Sequence, residues 1–169
     1  MTQVDQATLL RRIRIWIALF IVGLVLSGLT AFPLESELRI VNHLFGIAPI
    51  APSAGEPALC TWLRRVLEGI TETNRRYPFM AYGTDWLAFA HLVIAVAFFG
   101  PLRDPVRNKW VIVFGVIACA GVLPLALIAG PIRGIPLYWR LIDCSFGIFG
   151  AIPLLICLRD IGRLERTAG

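Results

Sequence analysis

Four stretches of mostly apolar residues, at 13–32, 81–100, 110–130 and 138–158, constrain this chain more than anything else in it. Each is close to the roughly 20 residues that a helix needs to cross a hydrocarbon core about 30 Å thick. Within that core a backbone N–H or C=O has no water to bond, so a run of this length must satisfy itself as a helix. Composition agrees: the chain is 57% hydrophobic and 16% charged, where a soluble domain is about 45–50% apolar and about 25% charged. The expectation is an all-α protein, a four-helix transmembrane bundle forming a single integral membrane domain over residues 1–169.

The formal net charge of +5 does not point to nucleic acid, because the basic residues flank the apolar runs and do not gather into one patch. Arg11, Arg12 and Arg14 precede the first run, Arg103, Arg107 and Lys109 lie between the second and third, and Arg159, Arg163 and Arg166 follow the fourth. Loops rich in Lys and Arg stay on the cytoplasmic side. The reading is a multi-pass protein of the inner (plasma) membrane with both termini cytoplasmic and loops 33–79 and 131–139 outside. Tyr82, Trp86, Tyr138 and Trp139 then mark the outer interface, and Trp16 and Trp110 the inner one. The first run has no small-residue cleavage site and exceeds a signal-peptide core, so it reads as a retained helix. Its Gly23, Ser27 and Ala31 recur every fourth position, a face suited to close packing within the chain.

The 33–79 loop is the one long polar stretch. Pro33 followed by Glu35 and Glu37 resembles a helix start, with proline early and acids near the positive end. Leu38, Val41, Leu44 and Phe45 continue at helical spacing, predicting a short helix at about 34–46. The segment IAPIAPSAGEP interrupts it. At about 58–72, Leu59, Trp62, Leu63, Val66, Leu67 and Ile70 form one apolar face against Arg64, Arg65, Glu68 and Glu72. The loop's five arginines balance its five glutamates, so an amphipathic cap packed on the bundle is favoured over an anionic-lipid anchor. Thr84 reads as the N-cap of the second span, and Pro124 and Pro153 are expected to kink the third and fourth.

Few groups in the spans carry chemistry. Asp85 and His91 lie in the second, Arg140 and Asp143 at the start of the fourth, and Arg133 in the connector before it. Charges in a span are costly and usually have a partner or a role. Asp85, His91, Arg133, Arg140 and Asp143 are therefore the candidate ligand-binding residues, in a polar pocket beneath the outer interface. The structural alternatives are that Asp85 caps its helix, that Asp143 pairs with Arg140 or Arg133, and that His91 bonds to a neighbouring helix. Catalytic residues are not identifiable from the sequence.

No metal or other cofactor is expected. Two histidines and four cysteines without CxxC spacing make a zinc site improbable, and His43 is too far out to join His91 around a haem. Cys119 and Cys157 read as small core residues, whereas Cys60 and Cys144 share the outer side and could form a disulfide. Phosphate-binding glycine loops, HExxH and a serine elbow are absent. Gly115, Gly121, Gly147 and Gly150 suit close helix packing.

In layout, with WLAFAHLVIAVAFF and RLIDCSFGIFGAIPLLICLR as its second and fourth spans, the chain resembles the EXPERA membrane-domain family of the sigma-2 receptor and sterol isomerase. It is also similar to small bacterial four-helix membrane proteins of this build. The resemblance implies an enclosed sterol-like ligand against buried acids; this chain has His91 where an acid is expected and no buried acid in its first span. Three functions fit. The first is a protein that binds a lipid-like or other hydrophobic ligand near the outer interface. The second is an intramembrane enzyme on an isoprenoid or lipid, with His91 or Asp143 moving a proton. The third is a structural subunit of a larger membrane complex. Membrane lipids and membrane-protein subunits are the expected partners, and nucleic acid is not.

Overall fold

A computed structural model of the chain describes residues 3–47 and 55–168, and most of the break expected at 47–57 lies outside them. The described residues are helical throughout, with no strand. The elements are α1 (Gln3–Ala31), α2 (Leu34–Leu44), α3 (Ala58–Arg76), a 3-10 turn (Pro78–Ala81) running into α4 (Tyr82–Ala97), α5 (Phe99–Arg103), α6 (Lys109–Pro124), a π-helical turn (Leu125–Ala129), α7 (Gly130–Ile132) and α8 (Leu137–Ala168). Four stretches are long and apolar enough to cross a membrane: Asp5–Ala31, Pro78–Arg103, Lys109–Ile132 and Leu137–Arg166.

Helices α1 and α8 are longer than the apolar runs at 13–32 and 138–158, because they continue through polar flanks. Hydropathy marks only the part of a helix suited to hydrocarbon, while the hydrogen-bond ladder extends wherever flanking side chains find partners. Pro33 separates α1 from α2, and its carbonyl accepts from the Glu37 N–H at 2.9 Å. Thr84 is not an N-cap: the 3-10 turn already leads into α4, and the Thr84 hydroxyl donates back to the Ala81 carbonyl at 2.6 Å. The two span prolines differ. Pro124 ends α6 in a π-helical turn, which accommodates the missing N–H by widening the backbone, whereas α8 runs through Pro153 unbroken.

Two compact units can be distinguished, one formed by the chain up to Gly23 together with Ile94 onward, the other by Leu24–Val93. In the first, Ile13 and Ile17 of α1, Phe98, Ile112 of α6, and Leu154 and Cys157 of α8 are fully buried. The rings of Phe20 and Phe98 lie 4.7 Å apart in a tilted arrangement, a geometry aromatic pairs favour. Helices α6 and α8 approach closely at Gly147, where an added methyl would sit 2.6 Å from the Cys119 carbonyl oxygen. Gly115 and Gly150 are similarly crowded, against Leu154 with Phe98 and against Cys119, while Gly121 has open space. Small residues at such contacts allow the backbone approach that drives helix association in lipid.

At the end of this unit bearing the termini, Asp160 is fully buried. Its Oδ2 accepts from Arg12 Nε at 2.6 Å, and Arg159 and Arg163 lie 3.7 and 4.0 Å from its Oδ1. One helical turn away the Cys157 thiol faces the Ile13 carbonyl at 3.7 Å, and Lys109 pairs with Glu165 at 2.7 Å. These contacts tie α1 and α6 to α8 beyond the apolar runs.

In the second unit, α2 and α3 pack as a helical hairpin. Glu35 is the clasp: it accepts from Arg39 of its own helix at 2.6 Å, and from Thr71 and Asn74 of α3 at 3.0 and 2.7 Å. The apolar face of α3 is covered as its periodicity requires, with Leu63 buried, and Arg64 on its flank pairs with Glu56. On α2, Leu44 and Phe45 instead stay exposed, while Asn42 is buried and donates to the Leu38 carbonyl at 2.8 Å. The close approach between α1 and α4 is at Gly28, where an added methyl would lie 2.9 Å from the Ala88 carbonyl oxygen. The face expected to do this, Gly23, Ser27 and Ala31, is not the packed one, since Gly23 and Ser27 are exposed.

Two outcomes follow for stability. Arg12→Leu strands a buried carboxylate and should cost about 3 kcal/mol or more, whereas Arg12→Leu with Asp160→Leu should recover most of it. Thermal unfolding in detergent measures both, and equal losses would remove the pair from its structural role. In the hairpin, hydrogen bonds chiefly from Arg39, then from Asn74 and Thr71, hold the Glu35 carboxyl below the ordinary glutamate range. Folding lowers this pKa, so the contribution is complete above the ordinary range and is lost as pH falls through the lower folded value. Fluorescence of Trp62 should report loosening of α2 and α3 on acidification, with a flatter profile in Glu35→Gln.

Candidate ligand site within the spans

The connector before α8 is closed tightly. The Ile135 N–H bonds to the Gly130 carbonyl and the Gly134 N–H to the Pro131 carbonyl, both at 3.0 Å, with Gly134 at φ 69°. This is the paired C-cap that a left-handed glycine allows. It brings the start of α8 back over Gly130, whose missing side chain leaves room for the Arg140 stem; an added methyl there would collide with Arg140 Cγ and Cδ.

Arg140 is half-buried in consequence, and its Nε is buried with no hydrogen-bond partner. Asp143, one turn further along α8, is also half-buried. The expected pairing of Asp143 with Arg140 or Arg133 is not made: among the described residues no hydrogen bond or ion pair engages the Asp143 carboxylate. Its neighbour Ser145 turns inward on its own helix, donating to the Ile142 carbonyl at 2.6 Å. Arg133 is exposed at the end of α7, where its backbone N–H completes the turn by bonding to the Ala129 and Gly130 carbonyls. The unit therefore places a guanidinium and a carboxylate on neighbouring turns of one span with their hydrogen-bonding capacity unused.

Asp85 and His91 belong to the other unit. Asp85 lies in the first turn of α4, where the positive end of the helix favours an acid. Trp86 beside it is the middle ring of an edge-to-face series with Tyr82 and Phe89, at 5.9 Å on each side. His91 bonds within its own helix and not to a neighbour: Nδ1 lies 2.7 Å from the Leu87 carbonyl. A carbonyl can only accept, so Nδ1 carries the proton and the neutral ring presents its lone pair on Nε2. The His91 backbone side is fixed by the packing of its Cβ close to Gly28.

Cofactor chemistry finds no cluster to attach to: among the described residues no three His, Cys, Asp or Glu side chains gather as metal ligands. All four cysteines are free thiols, Cys60 and Cys144 included. Asp160 escaped the sequence reading because it sits in a basic tail. The available signal was the core period Leu154, Cys157, Ile161 and Leu164, which runs past the apolar run with Asp160 on the same side.

Because Gly130 collides only with a flexible stem, Gly130→Val should destabilise the fold and Arg140→Ala in the same chain should restore part of the loss. A cost of about 1–3 kcal/mol is ordinary for overpacking of this kind, and a double variant no more stable than Gly130→Val would show that the crowding lies elsewhere. Compared with family models, curated proteins and solved structures, the chain matches none of them, and the chemistry of the site rests on its own residues.

Proposed function

We propose that this chain is a multi-pass protein of the plasma (inner) membrane, with both termini cytoplasmic, that binds a lipid-like or other hydrophobic ligand through a polar end. One observation carries the reading: Arg140 and Asp143 stand in a span with their charged ends unpartnered by other side chains. Unsatisfied charge in an apolar region is costly, and what commonly balances it is solvent, a neighbouring charge or a ligand. A head group with both acceptor and donor atoms complements this pair, the guanidinium giving hydrogen bonds and the carboxylate receiving them. Arg133 stands at the mouth of the connector and adds positive charge there. Asp85 and His91 are candidate contacts on their own span.

Support for the sidedness comes from the basic residues clustered beside the terminus-bearing ends of the spans and from the aromatic series at the start of α4, residues typical of an interface. The test is to purify the chain gently and identify small molecules retained with it by mass spectrometry. Arg140→Gln and Asp143→Asn should each reduce that retention severalfold while the helical content is preserved. Unchanged retention in both variants would make these groups structural.

His91 favours a second reading, an intramembrane enzyme acting on an isoprenoid or lipid. An imidazole whose Nδ1 proton is held by Leu87 leaves Nε2 as a base. Here His91→Gln would abolish conversion of the retained molecule and leave its retention intact.

A further inference from the structure

We propose that a groove between the start of α1 and α5 holds an anionic phospholipid. The groove encloses about 470 Å³, within the range of small-molecule sites. Its floor is apolar, made by Ala7, Leu10, Ile15 and Ala18 of α1 with Leu102 of α5, and its charged groups are Arg11 and Arg14. No acidic residue lines it.

The neighbouring arginines of α1 divide their tasks. Arg12 turns to buried Asp160, whereas Arg11 and Arg14, three residues apart on one face, are exposed in the groove. Arg14 is oriented by donating from Nη2 to the Arg103 carbonyl at 3.2 Å, which leaves the rest of its guanidinium available. Arg11 makes no hydrogen bond or ion pair with other described residues. Two guanidiniums at this separation suit one phosphate, the anion whose geometry arginine matches best.

The apolar floor decides between a lipid and a free anion. From Arg14 to Ala18 the groove descends about 6 Å along the helix, at 1.5 Å per residue, into the apolar run that begins at Ile13. Charge therefore sits where the span leaves hydrocarbon, and the surface below it is suited to the first part of an acyl chain. A basic pocket beside spans is the common form of anionic-lipid recognition. A zwitterionic head group would bring a cation that the groove has no acid to meet. This inference concerns a different end of the chain from Arg140 and Asp143 and does not rest on the function proposed for them.

The test is native mass spectrometry of the full chain equilibrated with an equal mixture of phosphatidylglycerol and phosphatidylcholine. The wild type should retain phosphatidylglycerol preferentially, and Arg11→Gln and Arg14→Gln should each weaken that retention about fivefold. Ala18→Phe keeps both charges but fills the floor, and should weaken it independently; it decides the matter if an arginine variant fails to fold. Arg166→Gln, outside the groove, and Arg140→Gln should leave the preference intact. Equal retention of the two lipids by the wild type would overturn the proposal, as would unaltered retention in both arginine variants. Displacement by glycerol 3-phosphate as effective as by phosphatidylglycerol would likewise overturn it, since the site would then take the free anion.

Discussion

The contact on which the terminus-bearing unit depends is the ion pair between Arg12 and Asp160. In lipid, the hydrophobic effect that gathers helices in water is weak, because hydrocarbon tails are as apolar as leucine. Backbone approach at glycines and a small number of well-placed polar contacts must hold the helices together. Here the glycine contacts bring α6 and α8 together, while the buried carboxylate anchors the polar end of α1 to α8. A carboxylate with no exposure is tolerable only with cationic neighbours, and Asp160 has Arg12, Arg159 and Arg163 within 4.0 Å. The same pairing accounts for the length of the terminal helices, whose polar flanks would otherwise have little reason to stay ordered.

The spans were legible because hydropathy reports the solvent a segment can tolerate, and the four runs at 13–32, 81–100, 110–130 and 138–158 each lie within a membrane-length helix apart from a residue at an end. The amphipathic α3 was legible for a related reason, its period of 3.6 recording which face is covered. What the sequence concealed was direction. Gly23, Ser27 and Ala31 have the right spacing for a packed face, yet the crossing uses Gly28, a choice made by the partner helix and not by α1 itself. Arg140 and Asp143 have the right spacing to pair, yet the Arg140 stem is drawn towards Gly130. The His91 bond to Leu87 is local and was readable in principle, since a polar side chain in a helix can reach the carbonyl four residues before it.

Arginine does three different things in this chain. On Arg12 it balances a buried acid, on Arg39 it braces a hairpin clasp, and on Arg140 it lays an aliphatic stem against a glycine with its polar end unmatched. Net charge alone therefore says little about what such a protein recognises. The division between matched and unmatched guanidiniums is more informative, because a matched group is already accounted for by the fold, whereas an unmatched one must meet solvent or something the fold does not supply.

The widened turn at Leu125–Ala129 has a consequence for how this chain can tolerate change. A π turn carries one residue more than the α turn it replaces, so it acts as a counter that advances everything after it by about 100° around the axis. The notch at Gly130 points at Arg140 only with that extra residue in place. Shortening the segment by one would yield a more regular helix of nearly the same composition, aimed wrongly. Insertions and deletions here are thus constrained by angle, in a stretch whose individual aliphatic side chains are free to interchange.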